Sequence, residues 1–380
     1  MLPGLVNVHA HLDKAFLASR VPNVSGTIGE ARRRMKEAKA TFTVEDVRVR
    51  AARALRKGIA HGVTAIRTHV DIDPIVGLKG LEALLSLRNE WRGTVDLQIV
   101  AFPQEGILEQ PGTEQLMNEA LRLGADVVGG HLSIAADAEA LKAQTDIVFR
   151  LAVTFDRDID VHVDLDIDRD YTRAVSRHAD GRLYPDGLGT VYLAEKTIAE
   201  GYQGRVTASH LSALDSIPAD LRANVVELLS RAGVAVVALP ASNMYIHGRS
   251  DAIHTRRGVT RLRELRAAGV QVAVGTDNIR DPFMPFGNTD LLQNAIVSAL
   301  ACHLVTDDDF VEMLRLHTVA PARLMRLEGY GLEPGRYADL VVFSARSIDE
   351  LLAGETTRRW VFKRGNVIAE TEVSTRLHAG

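Results

Sequence analysis

LVNVHAHL, residues 5–12, reads as a short β-strand in which apolar residues alternate around two histidines. After an amphipathic stretch, TAIRTHVD at 64–71 repeats the pattern. It continues through VDLQIVAFPQ (95–104), DVVGGHL (126–132), DIDVHVD (158–164), RVTASH (205–210), VAVVALPAS (234–242) and VQVAVGTDN (270–278). The intervening segments, such as GTEQLMNEALRLG (112–124) and LRANVVELLSRAG (221–233), combine helical spacing with a terminal glycine suited to a C-cap. Eight strand–helix units in series predict an α/β protein built on a closed parallel (β/α)8 barrel of the TIM type. In such a barrel the chemistry collects at the C-terminal ends of the strands, around an open mouth.

The barrel is expected over residues 1–328. GLEPGRYADLVVFS and WVFKRGNVIAET read instead as short strands around glycine-containing turns, so residues 329–380 are expected to form a small β appendage.

The 380 residues are 46% hydrophobic, enough for one large core. The net charge is −4 with basic residues spread along the chain, which argues against nucleic acid or an anionic membrane surface as partner. The single cysteine, Cys302, excludes an internal disulfide framework, and no apolar run approaches the ~18 residues of a membrane span. A cytoplasmic protein acting on a small molecule is expected, with a homo-oligomer left open.

His9 and His11 stand two apart at the end of the first strand, and a period of two turns both imidazoles to one side. Such a pair alone also occurs in ordinary strands. His162, His210 and Asp277 end the fifth, sixth and eighth strands, so all five residues are expected at one mouth. Neutral imidazoles with a carboxylate suit one divalent ion, zinc or iron, rather than calcium or magnesium. His69 and His131 also lie near strand ends but lack a partner at chelate spacing, which suits supporting roles.

PGLVNVHAHLDKAF, RTHVD, LQIVAFPQEGI, LGADVVGG, RVTASH and TDNIRDPFMPFGNTD, spread over nearly the whole chain, resemble the cytosine deaminase branch of the amidohydrolase superfamily. The last of these is also similar to the N-isopropylammelide amidohydrolases of triazine breakdown. The resemblance implies a distorted barrel with a small β-sandwich and one metal ion held by His9, His11, His162 and Asp277. It further implies that His210 contacts the hydrolytic water or the group under attack, that Gln104 bonds to the amide edge of a ring, and that Asn278 lies on the substrate side. Relatives usually carry more chain before the first histidine motif, so part of the sandwich is expected to be missing here, leaving an edge that invites association.

One departure stands out. The deaminases place an acid three residues after the fifth-strand histidine, and here that position is Leu165. Asp164 or Asp166 can take over proton transfer, or HVDLDIDRD is a solvated loop with capping duties. Lys14 is open to meeting an anionic substrate group or pairing with a nearby acid. Phe283 and Phe286 are open to stacking on a ring or anchoring their loop. The long segment SNMYIHGRSDAIHTRRG (242–258) suits a flap that brings His247 to substrate, or a static excursion.

The leading expectation is a metal-dependent hydrolase that deaminates a small nitrogen heterocycle, a cytosine-like pyrimidine or an s-triazine, using Asp277 and His210 as catalytic groups and Gln104, Asn278, Asp164 and Phe283 as substrate contacts. The alternatives are a cyclic amide hydrolase, which tolerates Leu165 better, and a metal-containing binding protein without turnover.

Overall fold

Residues 1–304 and 306–378 are described by the computed structural model. Eight parallel strands follow one another in space in chain order: β1 (Leu5–Ala10), β2 (Val63–Asp71), β3 (Asp96–Phe102), β4 (Val127–His131), β5 (Asp158–Val163), β6 (Val206–His210), β7 (Ala235–Ala238) and β8 (Val272–Val274). Helices between them cover the outside. Thr43 begins the helix Val44–Ala60 by accepting from the Asp46 N–H, and Gly124 ends Thr113–Leu123 at φ 115°, a conformation that only glycine adopts freely.

The sheet closes where β8 returns to β1. The Asp277 N–H bonds to the His9 carbonyl at 2.9 Å, and Asn7 and Thr276 exchange hydrogen bonds of 2.7 and 3.2 Å. Gly275 allows this approach, because a Cβ there would stand 2.7 Å from His9 Cβ and 2.9 Å from its carbonyl oxygen. Across the interior, Arg67 of β2 reaches Asp160 of β5 at 2.8 Å and the Leu324 carbonyl at 2.9 Å. A buried guanidinium thus finds a charged partner and ties distant strands together.

Two expected strands are shorter than the sequence suggested. β7 stops at Ala238, because Pro240 opens a short helix, Pro240–Ile246, in the first-turn position that suits proline. β8 stops at Val274, and residues 275–278 leave the ladder to line the mouth. A small hairpin, Val175–Arg177 with Leu183–Pro185, was not foreseen.

The appendage is a four-stranded antiparallel sheet of Leu2–Pro3, Leu340–Phe343, Arg358–Lys363 and Asn366–Glu372. Lys363 fastens it beneath the barrel, with its buried ammonium 2.6 Å from both Asp96 and Asp339. Among the described residues no helix is long and apolar enough to cross a membrane.

Gly275→Ala should lower Tm by roughly 1–4 °C in calorimetry, since overpacking costs about 1–3 kcal/mol. Gly29→Ala, in a helix with nothing within 4 Å of the new Cβ, should leave Tm unchanged or raise it. Equal effects of the two would contradict the seam.

Candidate metal centre

The ends of β1, β5 and β6 and the turn after β8 converge on one buried point. One ligand-capable atom each from His9, His162, His210 and Asp277 lies within 4.8 Å of the others. His11 Nε2 is 3.2 Å from Asp277 Oδ1, and His9 Nε2 is 3.6 Å from the same oxygen. Two ligands on one tetrahedral zinc stand about 3.3 Å apart, so these spacings fit a shared ion. The structure therefore brings together all five residues expected at the mouth, four of them in one group that includes His210, with His11 joined to it through Asp277.

Burial, above all, and the neighbouring histidines hold the pKa of His9, His11 and His162 well below the ordinary value, and that of His210 is lowered as well. The rings are neutral and carry lone pairs, the state a metal ion requires. Among the described residues His9 Nε2 is buried without a hydrogen-bond partner. An orphaned acceptor in a polar cluster of this kind calls for a cation.

The far sides of these side chains are held in turn. His9 Nδ1 lies 3.1 Å from Ser209 Oγ, which donates to Asp160 at 3.1 Å, and Asp160 also meets His69 Nε2 at 3.3 Å. His210 Nδ1 donates to Asn243 Oδ1 at 2.9 Å, which leaves Nε2 as an acceptor. Ser242 Oγ donates to Asp277 Oδ2, freeing Oδ1 for the histidines. His210 and Asp277 both sit at positive φ, 77° and 62°, where the chain leaves its strand. Left-handed backbone at such residues costs energy that the surrounding structure must offset.

A cavity opens beside the cluster. Its walls include His11, His162, His210 and Asp277 together with Gln104, Asn278 and Phe283, the residues expected on the substrate side, and Leu165. Lys14 does not line it; the buried ammonium bonds to Asp71 and to Gln104 Oε1, each at 2.7 Å. That contact fixes which way the Gln104 amide points, and burial keeps Lys14 dependent on its acid partner. His131 does line the cavity, and its Nδ1 donates to the Gln104 carbonyl at 2.8 Å.

Other expected residues stand elsewhere. Asp164 turns away, its carboxylate accepting from Gly189 N–H and Thr190 N–H at 2.9 Å and from the Thr190 hydroxyl, at the start of the helix Gly189–Ala199. That is capping work. Asp166 and Phe286 are exposed, and His247 is buried against Gly258. Sequence reasoning missed Arg32, Ser242 and Ile246, which line the cavity. Their only signal was membership of segments that follow a strand end. It also left His69 without a partner, whereas folding brings its ring 4.0 Å from that of His9.

A parallel barrel with a histidine–carboxylate cluster at its mouth defines a metal-dependent hydrolase. The Amidohydrolase family matches residues 1–369, and the chain belongs to it. The chain is similar to N-isopropylammelide isopropyl amidohydrolase of Pseudomonas sp. strain ADP, at 30% identity over 98% of this chain and 86% of the relative. It is also similar to pterin deaminase of Rhizobium rhizogenes, at 32% identity over 96% and 80%. The structure of 5-methylcytosine deaminase from Klebsiella pneumoniae, liganded with 5-fluorocytosine, superposes with a TM-score of 0.88 at 32% identity, covering 99% of this chain and 88% of that one. The protein is a hydrolase of carbon–nitrogen bonds.

Asp164→Ala should cost roughly 1–2 kcal/mol of stability, as loss of a helix cap does. Turnover of the folded fraction should fall less than about tenfold, below the 10²–10⁴ range of a lost proton shuttle. Calorimetry and steady-state kinetics on one preparation test this. Unchanged Tm with a collapse of kcat would restore a shuttle role.

Proposed function

We propose that the protein removes an amino group from a small nitrogen heterocycle of the pyrimidine, triazine or pterin type by hydrolysis, with one zinc or iron ion held by His9, His11, His162 and Asp277. The observation that carries this is the cavity itself. His11, His162, His210, Asp277 and Gln104 all line it, which puts the candidate centre and an amide within reach of one small molecule. The relatives named above act on heterocycles of this kind by their own names.

An ion at this centre supplies Lewis-acid activation of water near neutral pH. The residues do the rest. Gln104 Oε1 is engaged by Lys14, so its Nε2–H groups are offered to a ring carbonyl or ring nitrogen. His210, positioned by Asn243, lines the same cavity beside the group under attack. Asp277 Oδ1 accepts the proton of the attacking water and returns it to the departing nitrogen, while Ser242 steadies Oδ2. Water and the amino-heterocycle give the oxo-heterocycle and ammonia.

Leu165 on the cavity wall favours a second reading. With no acid at that position, protonation of a ring nitrogen is less well served, whereas opening of a cyclic amide asks for less proton delivery.

Metal-reconstituted protein offered cytosine, amino-oxo-triazines, pterin and cyclic amides should release ammonia from at least one amino-heterocycle. Asp277→Asn should lower that turnover by about 10²–10⁴-fold. Ring-opened product without ammonia would replace deamination by the second reading. Tight binding with neither product would contradict hydrolysis of either kind.

A further inference from the structure

The helix Ile28–Lys39 after β1 lays Arg32 along the cavity wall, beside Gln104, His131 and Leu165. Its guanidinium makes no hydrogen bond or ion pair among the described residues, and its Nε is buried without a partner. The two acids that act on it electrostatically are Asp166 and Glu105. Asp166 is exposed, and Glu105 is already 2.8 Å from the Lys39 ammonium. Burial lowers the pKa of Arg32, yet a guanidinium stays charged at any working pH. An unspent cation with a planar fork of donors therefore faces the space where the substrate goes.

The neighbouring wall is set up to match. His131 Nδ1 is committed to the Gln104 carbonyl, so in the neutral ring Nε2 is an acceptor, itself buried and unpartnered among the described residues. Among the described residues lining the cavity Asp277 alone is acidic, and it belongs to the histidine cluster. A neutral ring would leave the guanidinium desolvated and unpaired, which is costly. A phosphate dianion would call for more than one cation.

We infer that the substrate carries a carboxylate on its heterocycle and that Arg32 binds it, with His131 Nε2 accepting an N–H from the same ring. This rests on the heterocycle hydrolysis proposed above. Arg32 is a specificity residue in this account and takes no part in bond cleavage.

Isothermal titration of the metal-loaded protein tests it with two matched pairs, cytosine-5-carboxylate against cytosine-5-carboxamide and 4-amino-6-oxo-1,3,5-triazine-2-carboxylate against its carboxamide. At least one carboxylate should bind about 10- to 100-fold tighter than its carboxamide, Arg32→Met should bring that ratio to within about threefold of one, and Arg32→Lys should keep part of it. Circular dichroism of each variant guards against misfolding. A ratio near one in the unaltered protein for both rings, or a preference that survives Arg32→Met, overturns the inference. Ammonia release is scored separately. Carboxylate preference without turnover upholds Arg32 and counts against hydrolysis, whereas turnover without preference does the reverse.

Discussion

The Asp277 N–H bonds to the His9 carbonyl and closes the barrel, while its carboxylate lies 3.2 Å from His11 Nε2 and 3.6 Å from His9 Nε2. One residue thus fixes the seam and supplies the charge at the centre. Gly275 makes the approach possible and Ser242 holds the other oxygen, so fold and site cannot be separated at this point. Substitutions that loosen the seam should also loosen the centre.

The electrostatic consequence is a buried carboxylate among imidazoles that burial keeps neutral. An uncompensated buried charge costs several kcal/mol, and a divalent cation would relieve that cost while satisfying the orphaned His9 Nε2. Behind the ligands, Ser209, Asp160, His69 and Arg67 form a second polar layer that reaches the bottom of the barrel. Ligand orientation in such sites is commonly fixed by partners of this kind.

Much of this was legible in the sequence, for a physical reason. Strands in a closed parallel barrel are short apolar runs, and polar residues at their C-terminal ends are most often presented to the mouth. His9, His11, His162, His210 and Asp277 were readable on that ground before any geometry. Residues whose role depends on packing were not. Asp164 alternates with His162 along the strand, yet its positive φ of 49° turns it onto the next helix. Leaving that helix uncapped would be the alternative. Arg32 lies outside every motif, on the helix Ile28–Lys39, whose placement over the cavity no periodicity reveals. His69 lacks a chelate-spaced partner in sequence because its neighbours, His9 and Asp160, come from other strands.

X-ray absorption at the metal edge, on protein reconstituted with one equivalent of zinc, tests the centre most directly. One ion per chain with a mixed shell of imidazole nitrogens and oxygen at about 2.0–2.2 Å is expected, and replacing His162 by Ala should remove one imidazole from that shell. A shell of oxygens alone, or a spectrum indifferent to His162, would contradict the account.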